Sequence, residues 1–494
     1  MEENKQGLAR PVLMLVLDGI RPSVLQDAIG GGEAPALEAL AGRGEAVWDA
    51  VSVFPSITPA ATAAIVTGEA PGRSGIVGHA WYDRGEGEVI VYGATTETVI
   101  STGPLKVFHN NVWRMNRDHL RAATLFERLH EFGVEGACVN FPIRRGPYEH
   151  PVRLKIVKSV AGYGEYLGEV VSGPKEYYLG DIFYTRDTGL QGYRGLGGLR
   201  RSVGINDEYA AAVGARLVRE RAAPFTLVYF YQGDSIAHHY GLEAQRRYVG
   251  KLDEYVAEIL RAGGGLERVL EEYAVVVLSD HGHTPLMPQR RRHVRLAKIL
   301  GERAAVGARA GFGPGVDLVA VPNGRSALLY FREGVEREVV EDLVARRGID
   351  LAAWREGEWC TVRRLGREIS FRPGTGPADG FGCRWELRGD PGTLDMEVDG
   401  DELRYGEYPD ALGRLRGALE SPRCGDVILS ATPGYTFGEV SGKFHEASDH
   451  GSLHASDSNV FVLACGLPAP RRITDVAPML LEHFERSRVE PGVL

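Results

Sequence analysis

The sequence predicts an α/β protein, in which a doubly wound, mostly parallel central sheet is flanked by helices and carries a smaller α+β cap or insertion. Continuous apolar runs such as Val12–Leu17 and Ala274–Leu278 are typical of strands buried on both faces, as in parallel sheets. These runs alternate with helical patterns, of which the amphipathic stretch 243–261 is the clearest. Such alternation indicates βαβ units and hence a parallel sheet with helices on both faces.

The predicted elements follow one another in this alternating order. Strands are predicted at Val12–Leu17, Val51–Val53, Val134–Asn140, Phe225–Tyr231, Ala274–Leu278, Asp426–Ser430 and Val460–Ala464. Helices are predicted over residues 33–42, 59–67, 121–132, 206–221 and 243–261. The sequence therefore places apolar strands near both ends of the chain and in its middle.

Two stretches break the alternation. Residues 143–205 are rich in Gly, Tyr and Arg with weak periodicity, and we interpret them as an irregular insertion. Residues 285–440 hold short strand-like pieces, Leu328–Phe331 and Trp359–Val362, between Gly and Pro turns. We therefore expect a catalytic core formed by residues 1–284 and 441–494, and a cap or insertion subdomain formed by residues 285–440.

Composition excludes several classes of protein. The chain of 494 residues has a formal net charge of −9, so no global basic field would attract a nucleic-acid duplex. The densest basic run, Arg290–Arg292, is interpreted as a solvated loop. The five cysteines are far apart and include no Cys-x-x-Cys pair, which argues against a disulfide framework and a thiolate zinc site.

The first apolar run, Val12–Leu17, is six residues long. This is much shorter than the apolar region of a signal peptide or a membrane-spanning helix. We therefore expect a cytoplasmic protein without membrane association. The sequence does not reveal the oligomeric state.

Acidic and imidazole side chains follow three of the predicted strands. Asp18 comes directly after Val12–Leu17, Asp234 follows the strand Phe225–Tyr231, and Asp280-His281 follows Ala274–Leu278. In open α/β sheets ligands bind beyond the carboxyl ends of the strands, so we expect these side chains to meet. Aspartates and histidines grouped in this way are what a two-metal site requires.

Further candidates extend this group. Asp234 and His238 are four residues apart, a spacing that places both on one face of a helical turn, whereas the adjacent His239 would point elsewhere. His283 is either a group that supports the ligands or a surface residue. A late ligand is expected near the C-terminus, where His450 competes with His445 and His454 on spacing alone.

Thr58 precedes Pro59 and a stretch compatible with a helix, so it is predicted to be a helix N-cap. A hydroxyl at a helix N-terminus lies where backbone N–H groups favour an anion such as phosphate. A neighbouring metal would lower the pKa of this hydroxyl and make it a nucleophile. The cap and the nucleophile are therefore compatible interpretations of one residue.

These segments resemble the alkaline phosphatase superfamily, and within it the nucleotide pyrophosphatase/phosphodiesterase branch. The similar segments occur in the order of that family and span residues 12–465; they are Asp18-Gly19-Ile20-Arg21, Phe54 to Gly68, Ser74-Gly75-Ile76 with Tyr82-Asp83, Asp234 to His238, Asp280-His281-Gly282 and His450-Gly451. The resemblance implies an alkaline-phosphatase-like fold with two metal sites. One would use Asp234, His238 and His450, and the other Asp18, Asp280 and His281 with Thr58 beside it as nucleophile.

The resemblance also implies two divalent cations. Mixed Asp and His ligation without thiolate suits zinc, with manganese or iron as the alternatives. The implied activity is that of a phosphodiesterase or nucleotide pyrophosphatase that acts through a phosphothreonine intermediate on a small, nucleotide-like phosphate ester. The alternatives on the same fold are a phosphomonoesterase, a phosphonoacetate hydrolase and a phosphoglycerate mutase, and a non-enzymatic alternative is an inactive metal-binding scaffold. Because position 58 is Thr rather than Cys or Ser, a sulfatase is disfavoured.

The chain departs from this branch at two places that bear on the substrate. The position of an Asn that usually contacts a phosphate oxygen is held by His79, and the usual Pro-Asn after the nucleophile is Ala60-Ala61. An imidazole can still donate a hydrogen bond to phosphate. The candidate substrate-binding residues are therefore His79, Phe54 and Tyr82, while Trp81 and Tyr240 are further aromatic candidates for a slot that holds the leaving group.

Overall fold

A computed structural model describes residues 9–93, 95–153, 170–187, 189 and 204–486. Its strands are β1 (Val12–Leu17), β2 (Glu45–Val51), β3 (Ala80–Asp83), β4 (Glu88–Val91), β5 (Gly136–Val139), β6 (Tyr148–Pro151), β7 (Val170–Gly173), β8 (Glu176–Leu179), β9 (Phe183–Tyr184), β10 (Phe225–Phe230), β11 (Ala274–Leu278), β12 (Thr284–Pro285), β13 (Ala304–Val306), β14 (Leu318–Asn323), β15 (Ser326–Phe331), β16 (Ile349–Glu356), β17 (Trp359–Arg364), β18 (Arg367–Asp379), β19 (Arg384–Gly389), β20 (Met396–Asp399), β21 (Glu402–Tyr405), β22 (Val427–Ala431), β23 (Ser448–Asp449) and β24 (Asn459–Cys465).

The helices connect these strands. The α-helices are Pro22–Gly30, Pro35–Arg43, Thr58–Thr67, Pro71–Ser74, Thr96–Thr102, Pro104–His109, Leu125–Glu131, Asp207–Glu220, Gln232–Tyr240, Leu242–Ala262, Leu266–Glu272, Leu296–Leu300, Arg337–Val344, Ala411–Leu419, Ala455–Ser458 and Val476–Arg486. A π-helix spans Asn110–His119, and short 3-10 helices span Gly301–Arg303, Pro391–Leu394, Pro422–Cys424 and Ile473–Asp475.

The central sheet has eight strands in the order β2-β24-β11-β1-β10-β5-β8-β9. The neighbours from β11 to β8 are all parallel, whereas β24 runs antiparallel to both β2 and β11, and β9 runs antiparallel to β8. The register aligns the last residues of the middle strands, with Leu17 opposite Phe230 and Val16 opposite Leu278. The prediction of a mostly parallel α/β sheet is confirmed.

Helices cover both faces of this sheet, so alternate residues of β1 are buried on opposite sides. Val12, Met14 and Val16 pack with the helices Thr58–Thr67 and Val476–Arg486. Leu13, Leu15 and Leu17 pack on the other side with the helices Pro22–Gly30, Asp207–Glu220 and Leu242–Ala262. This two-sided burial explains the continuous apolar run of β1 and confirms the doubly wound arrangement.

A second sheet of ten strands is built from residues 304–431. Its order is β13-β14-β15-β22-β16-β17-β18-β21-β20, with β19 paired to β18, and most neighbours are antiparallel. The predicted strand at Asp426–Ser430 lies here as β22, whereas that at Val460–Ala464 lies in the central sheet as β24. The division of the chain into a core and a 285–440 subdomain stays a prediction.

Part of the predicted irregular insertion, residues 143–205, belongs to the central sheet. β8 pairs in parallel with β5, and β9 forms the edge next to it. These strands have four and two residues, which is too short to produce a clear period in the sequence. The rest of the insertion includes residues 154–169, 188 and 190–203, which lie outside the described residues.

Other predictions concern the cysteines, the basic run and the membrane. All five cysteines are free, which confirms the absence of a disulfide framework. Arg290 and Arg291 are exposed, as expected of a solvated loop, but Arg292 is buried and donates to the carbonyl oxygen of Glu446, so the interpretation is wrong for Arg292. Within the described residues, every helix is too short or too polar to span a bilayer.

Candidate active site

The predicted site residues lie at one edge of the central sheet. Asp18 follows β1, the helix that carries Asp234 follows β10, and Asp280 follows β11, so all three lie beyond the carboxyl ends of parallel strands. β24 is antiparallel to its neighbours, so its amino end, which follows the His450 loop, lies at the same edge. The sheet topology therefore converts segments that are distant in the chain into one cluster.

Three overlapping groups of side chains at this edge place their ligand atoms within 4.8 Å of one another. The groups are Asp18, Asp280 and His281; Asp234, His281, His283 and His450; and His238, Asp449 and His450. All six Asp and His residues predicted as metal ligands belong to these groups, and Oγ1 of Thr58 lies 3.0 Å from Nε2 of His281. The expected convergence is thus present.

The three histidines among these predicted ligands are anchored in the same way. Nδ1 of His238 lies 3.0 Å from the carbonyl oxygen of Ser448. Nδ1 of His281 lies 3.1 Å from the carbonyl oxygen of Gly282, and Nδ1 of His450 lies 2.8 Å from that of Ser56. A carbonyl oxygen only accepts, so each Nδ1 carries the proton and leaves the lone pair of Nε2 for a cation.

Each of these Nε2 atoms faces a carboxylate. Nε2 of His238 and Nε2 of His450 lie 3.2 and 3.3 Å from Oδ1 of Asp234. Nε2 of His281 lies 3.4 Å from Oδ1 of Asp18 and 3.7 Å from Oδ2 of Asp280. The arrangement offers two adjacent sets of imidazole and carboxylate donors.

Asp280 provides a direct test of whether the site fits a cation. Its Oδ1 accepts hydrogen bonds from the backbone N–H groups of Gly19 and His281, both at 3.0 Å, whereas its buried Oδ2 has no hydrogen-bond partner among the described residues. A buried acceptor without a partner is rare in folded proteins. Burial also raises the pKa of this carboxyl to about 6. A cation bound at Oδ2 would satisfy this oxygen, so the residues fit a metal.

Asp234 is held by imidazoles on several sides. Nε2 of His283 lies 2.9 Å from its Oδ1, and Nδ1 of His283 lies 3.2 Å from Oγ of Ser448. His283 is fully buried, so it belongs to the site and not to the surface. Burial by itself would raise the pKa of Asp234, but His238, His283 and His450 outweigh it and hold this pKa well below its usual range.

The pKa values of the buried histidines are shifted in opposite directions. Burial lowers the pKa of His281 well below its usual value and that of His283 to about 4. For His450 burial acts in the same direction, but the carboxylates of Asp234 and Asp449 outweigh it and raise the pKa to about 9. Without a metal, the raised pKa of His450 favours its protonated form, and a cation would have to displace this proton.

Two glycines allow the ligand loops to approach closely. Gly19 has φ +66°, and a Cβ there would lie 2.8 Å from Nε2 of His283 and 2.9 Å from Cβ of Asp234. A Cβ at Gly282 would lie 2.5 Å from the carbonyl oxygen of Ser456. The Gly in Asp18-Gly19 and in His281-Gly282 is thus required by the packing of the loops.

The structure corrects the prediction for Thr58 as a helix cap. The helix begins at Thr58, its N-cap residue is Ile57, and no side chain caps it. The hydroxyl of Thr58 interacts with His281 instead. Thr58 is 7% exposed, so this oxygen lies at the inner wall of the site. The hydroxyl of Thr58 therefore faces the ligand cluster and does not cap the helix.

A family model supports these observations. The model described as type I phosphodiesterase/nucleotide pyrophosphatase matches residues 12–457. The chain belongs to this family. The resemblance inferred from the motifs is confirmed, and as a member of this phosphodiesterase family, within the alkaline phosphatase superfamily, the protein is a phosphoester hydrolase.

Solved structures of other proteins share the fold of this phosphodiesterase family member. Phosphonoacetate hydrolase from Sinorhizobium meliloti 1021, in complex with phosphonoacetate, aligns with a TM-score of 0.58 and 18% identity over 97% of this chain and 96% of its own. Murine ectonucleotide pyrophosphatase/phosphodiesterase 5 aligns with a TM-score of 0.57 and 14% identity over 96% and 95%. Its inactive threonine-to-alanine variant with AMP gives 0.57 and 13% over the same shares. No curated protein matches the chain.

The aromatic candidates for substrate binding differ in exposure. Phe54 and Trp81 are fully buried, and Tyr82 is 4% exposed, with its ring edge-on to Phe312 and Tyr330. Phe54 and Tyr82 therefore belong to the hydrophobic core of this phosphodiesterase, and the structure does not support their assignment to the substrate. Tyr240 is 75% exposed, and it ends the helix that carries Asp234 and His238.

His79 is half-buried and lies directly before β3. The neighbouring Ala80 is clamped by Asn323 of the second sheet, which accepts from the N–H of Ala80 at 3.0 Å and donates to its carbonyl oxygen at 2.8 Å. Burial would raise the pKa of Glu439, but the hydrogen bond and charge of His445, with a smaller contribution from His79, lower it. The role of His79 towards the substrate stays a prediction.

The rival histidines are separated by the structure. His454 is the N-cap of the helix Ala455–Ser458 and pairs with Glu407 at 3.0 Å, outside the metal-ligand groups found among the described residues. His239 is exposed and interacts with the carbonyl oxygen of Ser235, as expected. His450 is the late histidine of the cluster, which agrees with its selection over His454.

The sequence did not single out Asp449 or Glu439, and it offered His445 only as a rival to His450 for the late ligand. Asp449 is buried and belongs to one of the three groups. The ring of His445 stacks on His238 with centroids 3.7 Å apart, and its Nε2 lies 3.2 Å from Oε1 of the buried Glu439. Asp449 directly precedes His450, a pattern also seen in Asp280-His281, and this repeated pair was the signal available in the sequence.

Proposed function

We propose that this protein hydrolyses phosphodiester or pyrophosphate bonds with Thr58 as the nucleophile at a site for two divalent cations. The observation that carries the proposal is the position of Oγ1 of Thr58, 3.0 Å from Nε2 of His281. The same Nε2 lies 3.4 Å from Oδ1 of Asp18. The hydroxyl is thus next to one donor set, and the second set begins at Asp234 and His450.

One cation would be held by Asp234, His238 and His450, and the other by Asp18, Asp280 and His281. These donors are carboxylate oxygens and imidazole nitrogens without thiolate, which supports zinc, with manganese or iron as alternatives. When bound, such cations lower the pKa of a coordinated hydroxyl and neutralise charge on the transferring phosphoryl group.

The proposed reaction has two steps, formation of a phosphothreonine at Thr58 and its hydrolysis. Oγ1 of Thr58 attacks phosphorus, the bond from phosphorus to the leaving oxygen breaks, and a phosphothreonine forms. Water then attacks the same phosphorus, and the bond to Oγ1 breaks to restore Thr58. The helix that begins at Thr58 directs the positive end of its dipole at the phosphoryl oxygens.

The proposed substrate is a small, nucleotide-like phosphate ester. His79 is proposed to donate a hydrogen bond to a phosphate oxygen from its position before β3. The murine relative, whose inactive threonine-to-alanine variant holds AMP, supports both the nucleotide and the essential threonine. The cytoplasmic location expected from the sequence stays a prediction.

The test compares Thr58→Ala with Thr67→Ala. Thr67 is buried near the other end of the same helix, where its hydroxyl donates to the carbonyl oxygen of Ala63 at 2.7 Å. The zinc-loaded proteins are assayed on bis(p-nitrophenyl) phosphate, p-nitrophenyl thymidine monophosphate, p-nitrophenyl phosphate and phosphonoacetate. We expect turnover of the two diesters to fall by about 10³-fold or more in Thr58→Ala and to persist in Thr67→Ala.

Acid quenching of the wild-type reaction followed by peptide mass spectrometry should also locate a phosphoryl group on Thr58. Diester turnover at the wild-type rate in Thr58→Ala would refute the assignment of the nucleophile. A marked preference for the monoester or for phosphonoacetate would refute the diesterase assignment while leaving the nucleophile in place.

A further inference from the structure

A single buried carboxylate, that of Asp457, joins the two loops that carry His281 and His450. Asp457 lies in the short helix Ala455–Ser458 and is fully buried. Its backbone carbonyl oxygen accepts from the N–H of Gly282 at 2.8 Å, next to His281. Its Oδ2 accepts from the N–H of Ser452 at 2.9 Å, two residues after His450. Asp457 therefore forms hydrogen bonds with both the loop of His281 and the loop of His450.

Arg325 holds this carboxylate. Nη1 of Arg325 lies 2.6 and 2.7 Å from the two carboxylate oxygens of Asp457, and both side chains are completely inaccessible to solvent. The guanidinium also donates to the carbonyl oxygens of Tyr435 and Ala431, which fixes its plane. The backbone N–H of Arg325 donates to the carbonyl oxygen of His450 at 2.8 Å. Arg325 thus contacts both Asp457 and the main chain of the predicted metal ligand His450.

Thr284 completes the connection on the other loop. Its hydroxyl donates to Oδ1 of Asp457 at 2.5 Å and accepts from Nη1 of Arg325. In the two-stranded sheet β12–β23, Thr284 also pairs with Asp449. The loop after His281 and the loop before His450 are therefore tied by main-chain pairing and by the Arg325–Asp457 pair.

Stability alone does not account for an ion pair of this kind. The desolvation of two charges offsets most of their attraction, and hydrophobic replacements of buried pairs are often neutral or stabilising. Neither side chain belongs to the three ligand groups found among the described residues. What the pair does fix is the relation between His281 and His450, whose rings stack with centroids 3.7 Å apart and planes at 14°.

We propose that the Arg325–Asp457 pair sets the distance between the two metal positions, so that both are positioning residues for phosphoryl transfer. The inference rests on the proposed two-metal function, in which His281 and His450 serve different cations. A shift of about 1 Å in such a constellation can cost about 10²-fold in rate. Rigid buried pairing across the two loops is a means of preventing that shift.

The experiment uses Mn²⁺ as the probe, because two adjacent Mn²⁺ ions couple magnetically at a strength that falls with their separation. The main variant is Arg325→Met combined with Asp457→Asn, which removes both charges and leaves no unpaired buried ion. We expect two Mn²⁺ per chain, a loss of the coupled electron paramagnetic resonance signal in favour of the uncoupled one, and a fall in kcat of about 10–100-fold with KM within about threefold.

A second variant, Arg325→Lys, guards against failure of the double variant to fold. Lysine keeps the charge that faces both oxygens of Asp457 but lacks the two further nitrogens that donate to the carbonyl oxygens of Tyr435 and Ala431, so we expect a weaker change in the same direction. The matched control is Arg472→Met combined with Asp410→Asn. In that pair Nε and Nη2 of Arg472 contact the two carboxylate oxygens of Asp410 at 2.6 and 3.0 Å, and both side chains are largely buried, but the pair joins residues outside both histidine loops. We expect its Mn²⁺ coupling to match that of the wild type.

The outcomes separate this inference from the proposed function. Fewer than two Mn²⁺ bound to the wild-type protein would refute the two-metal function, and the inference with it. A coupled wild type and an equally coupled Arg325/Asp457 variant with unchanged kcat would refute the positioning role alone. Equal loss of coupling in the Arg472/Asp410 control would also refute it, since the effect would then follow from loosening of the fold in general.

Discussion

Nε2 of His281 lies 3.0 Å from Oγ1 of Thr58, although 223 positions separate the two residues in the chain. His281 is fully buried, and its Nδ1 is engaged by the carbonyl oxygen of Gly282. Its second nitrogen is therefore directed at the hydroxyl and at Asp18. This contact links the start of the helix Thr58–Thr67 to the segment after β11, at the corner of the site where we propose that the reaction takes place.

Thr58→Ser should keep a measurable part of the activity. The serine retains the hydroxyl but loses the methyl group that restricts χ1, so the oxygen spends less time towards His281. We expect kcat on bis(p-nitrophenyl) phosphate to fall by about tenfold, in contrast to about 10³-fold or more for Thr58→Ala. Serine and alanine variants with equally low rates would show that the hydroxyl is not the reacting group.

His283→Ala should weaken metal binding without removing a predicted ligand. The substitution deletes the hydrogen bond of 2.9 Å to Oδ1 of Asp234, and groups that support a metal ligand are typically worth 10–100-fold in affinity. Competition with a chromophoric chelator measures the change. His239→Ala is the control, because His239 is exposed and belongs to none of the ligand groups found among the described residues. Unchanged affinity in His283→Ala would contradict the supporting role.

Gly19→Ala should disrupt the site for reasons of space. The new Cβ would lie 2.8 Å from Nε2 of His283 and 2.9 Å from Cβ of Asp234, in addition to the strain of φ +66°. Gly32→Ala is matched to it, with φ +73° and no atom within 4 Å of the added Cβ. We expect about 1 kcal/mol of destabilisation in Gly32→Ala, and in Gly19→Ala a larger loss together with weakened metal binding.

Thermal unfolding and metal titration of both glycine variants provide the measurement. The two substitutions share the backbone strain, so their difference isolates the clash with Asp234 and His283. Equal metal affinity in the two variants would mean that the loop around Gly19 adjusts without cost to the site.

Metal affinity should rise with pH in two regimes. In the metal-free protein the pKa of His450 is raised to about 9, so below that pH a cation must displace its proton. Between about pH 6 and 9 the apparent affinity should therefore increase about tenfold per pH unit, with release of one proton. Below about pH 6 the carboxyl of Asp280 is protonated as well, and the slope should approach two. Calorimetry in buffers of different ionisation enthalpy counts these protons, and a flat profile between about pH 6 and 9 would contradict the role of His450.

Removal of metal should abolish turnover and lower stability together. A cation that binds only the folded state stabilises it by about 2.7 kcal/mol at a free concentration 100 times Kd. We therefore expect a chelator to lower Tm and eliminate diester hydrolysis, and added Zn²⁺ to restore both. Full activity in a protein stripped to less than about 0.1 metal per chain would contradict the metal-dependent mechanism.

The strands that position the site could be predicted because their sequences are simple. β1 and β11 are buried on both faces, so they consist of uninterrupted apolar residues that end at Asp18 and just before Asp280. The i, i+4 spacing of Asp234 and His238 likewise reports their shared helix face, confirmed by the 3.2 Å between Oδ1 and Nε2. In these elements the sequence pattern depends only on local backbone geometry, so it could be interpreted without knowledge of distant contacts.

Other features depend on contacts that a single sequence does not encode locally. β18 in the second sheet mixes exposed and buried residues without a regular period, so its 13 residues gave no strand signal. The aromatic ring of Tyr82 is compatible with either a core or a binding pocket, and only the packing against Phe312 and Tyr330 decides between them. The helix start at Thr58 was visible, but the orientation of its hydroxyl depends on distant His281.

The turn between β14 and β15 limits how this enzyme can diversify. Asn323 forms two hydrogen bonds with the main chain of Ala80. Arg325 donates from its backbone N–H to the carbonyl oxygen of His450 and from its side chain to Asp457, so the tip of this hairpin packs directly against the ligand cluster. A graft that exchanged the whole second sheet for a foreign one would remove the N–H of Arg325 that donates to the carbonyl oxygen of His450. New selectivity is therefore more accessible through point changes that leave this hairpin intact than through the exchange of whole subdomains.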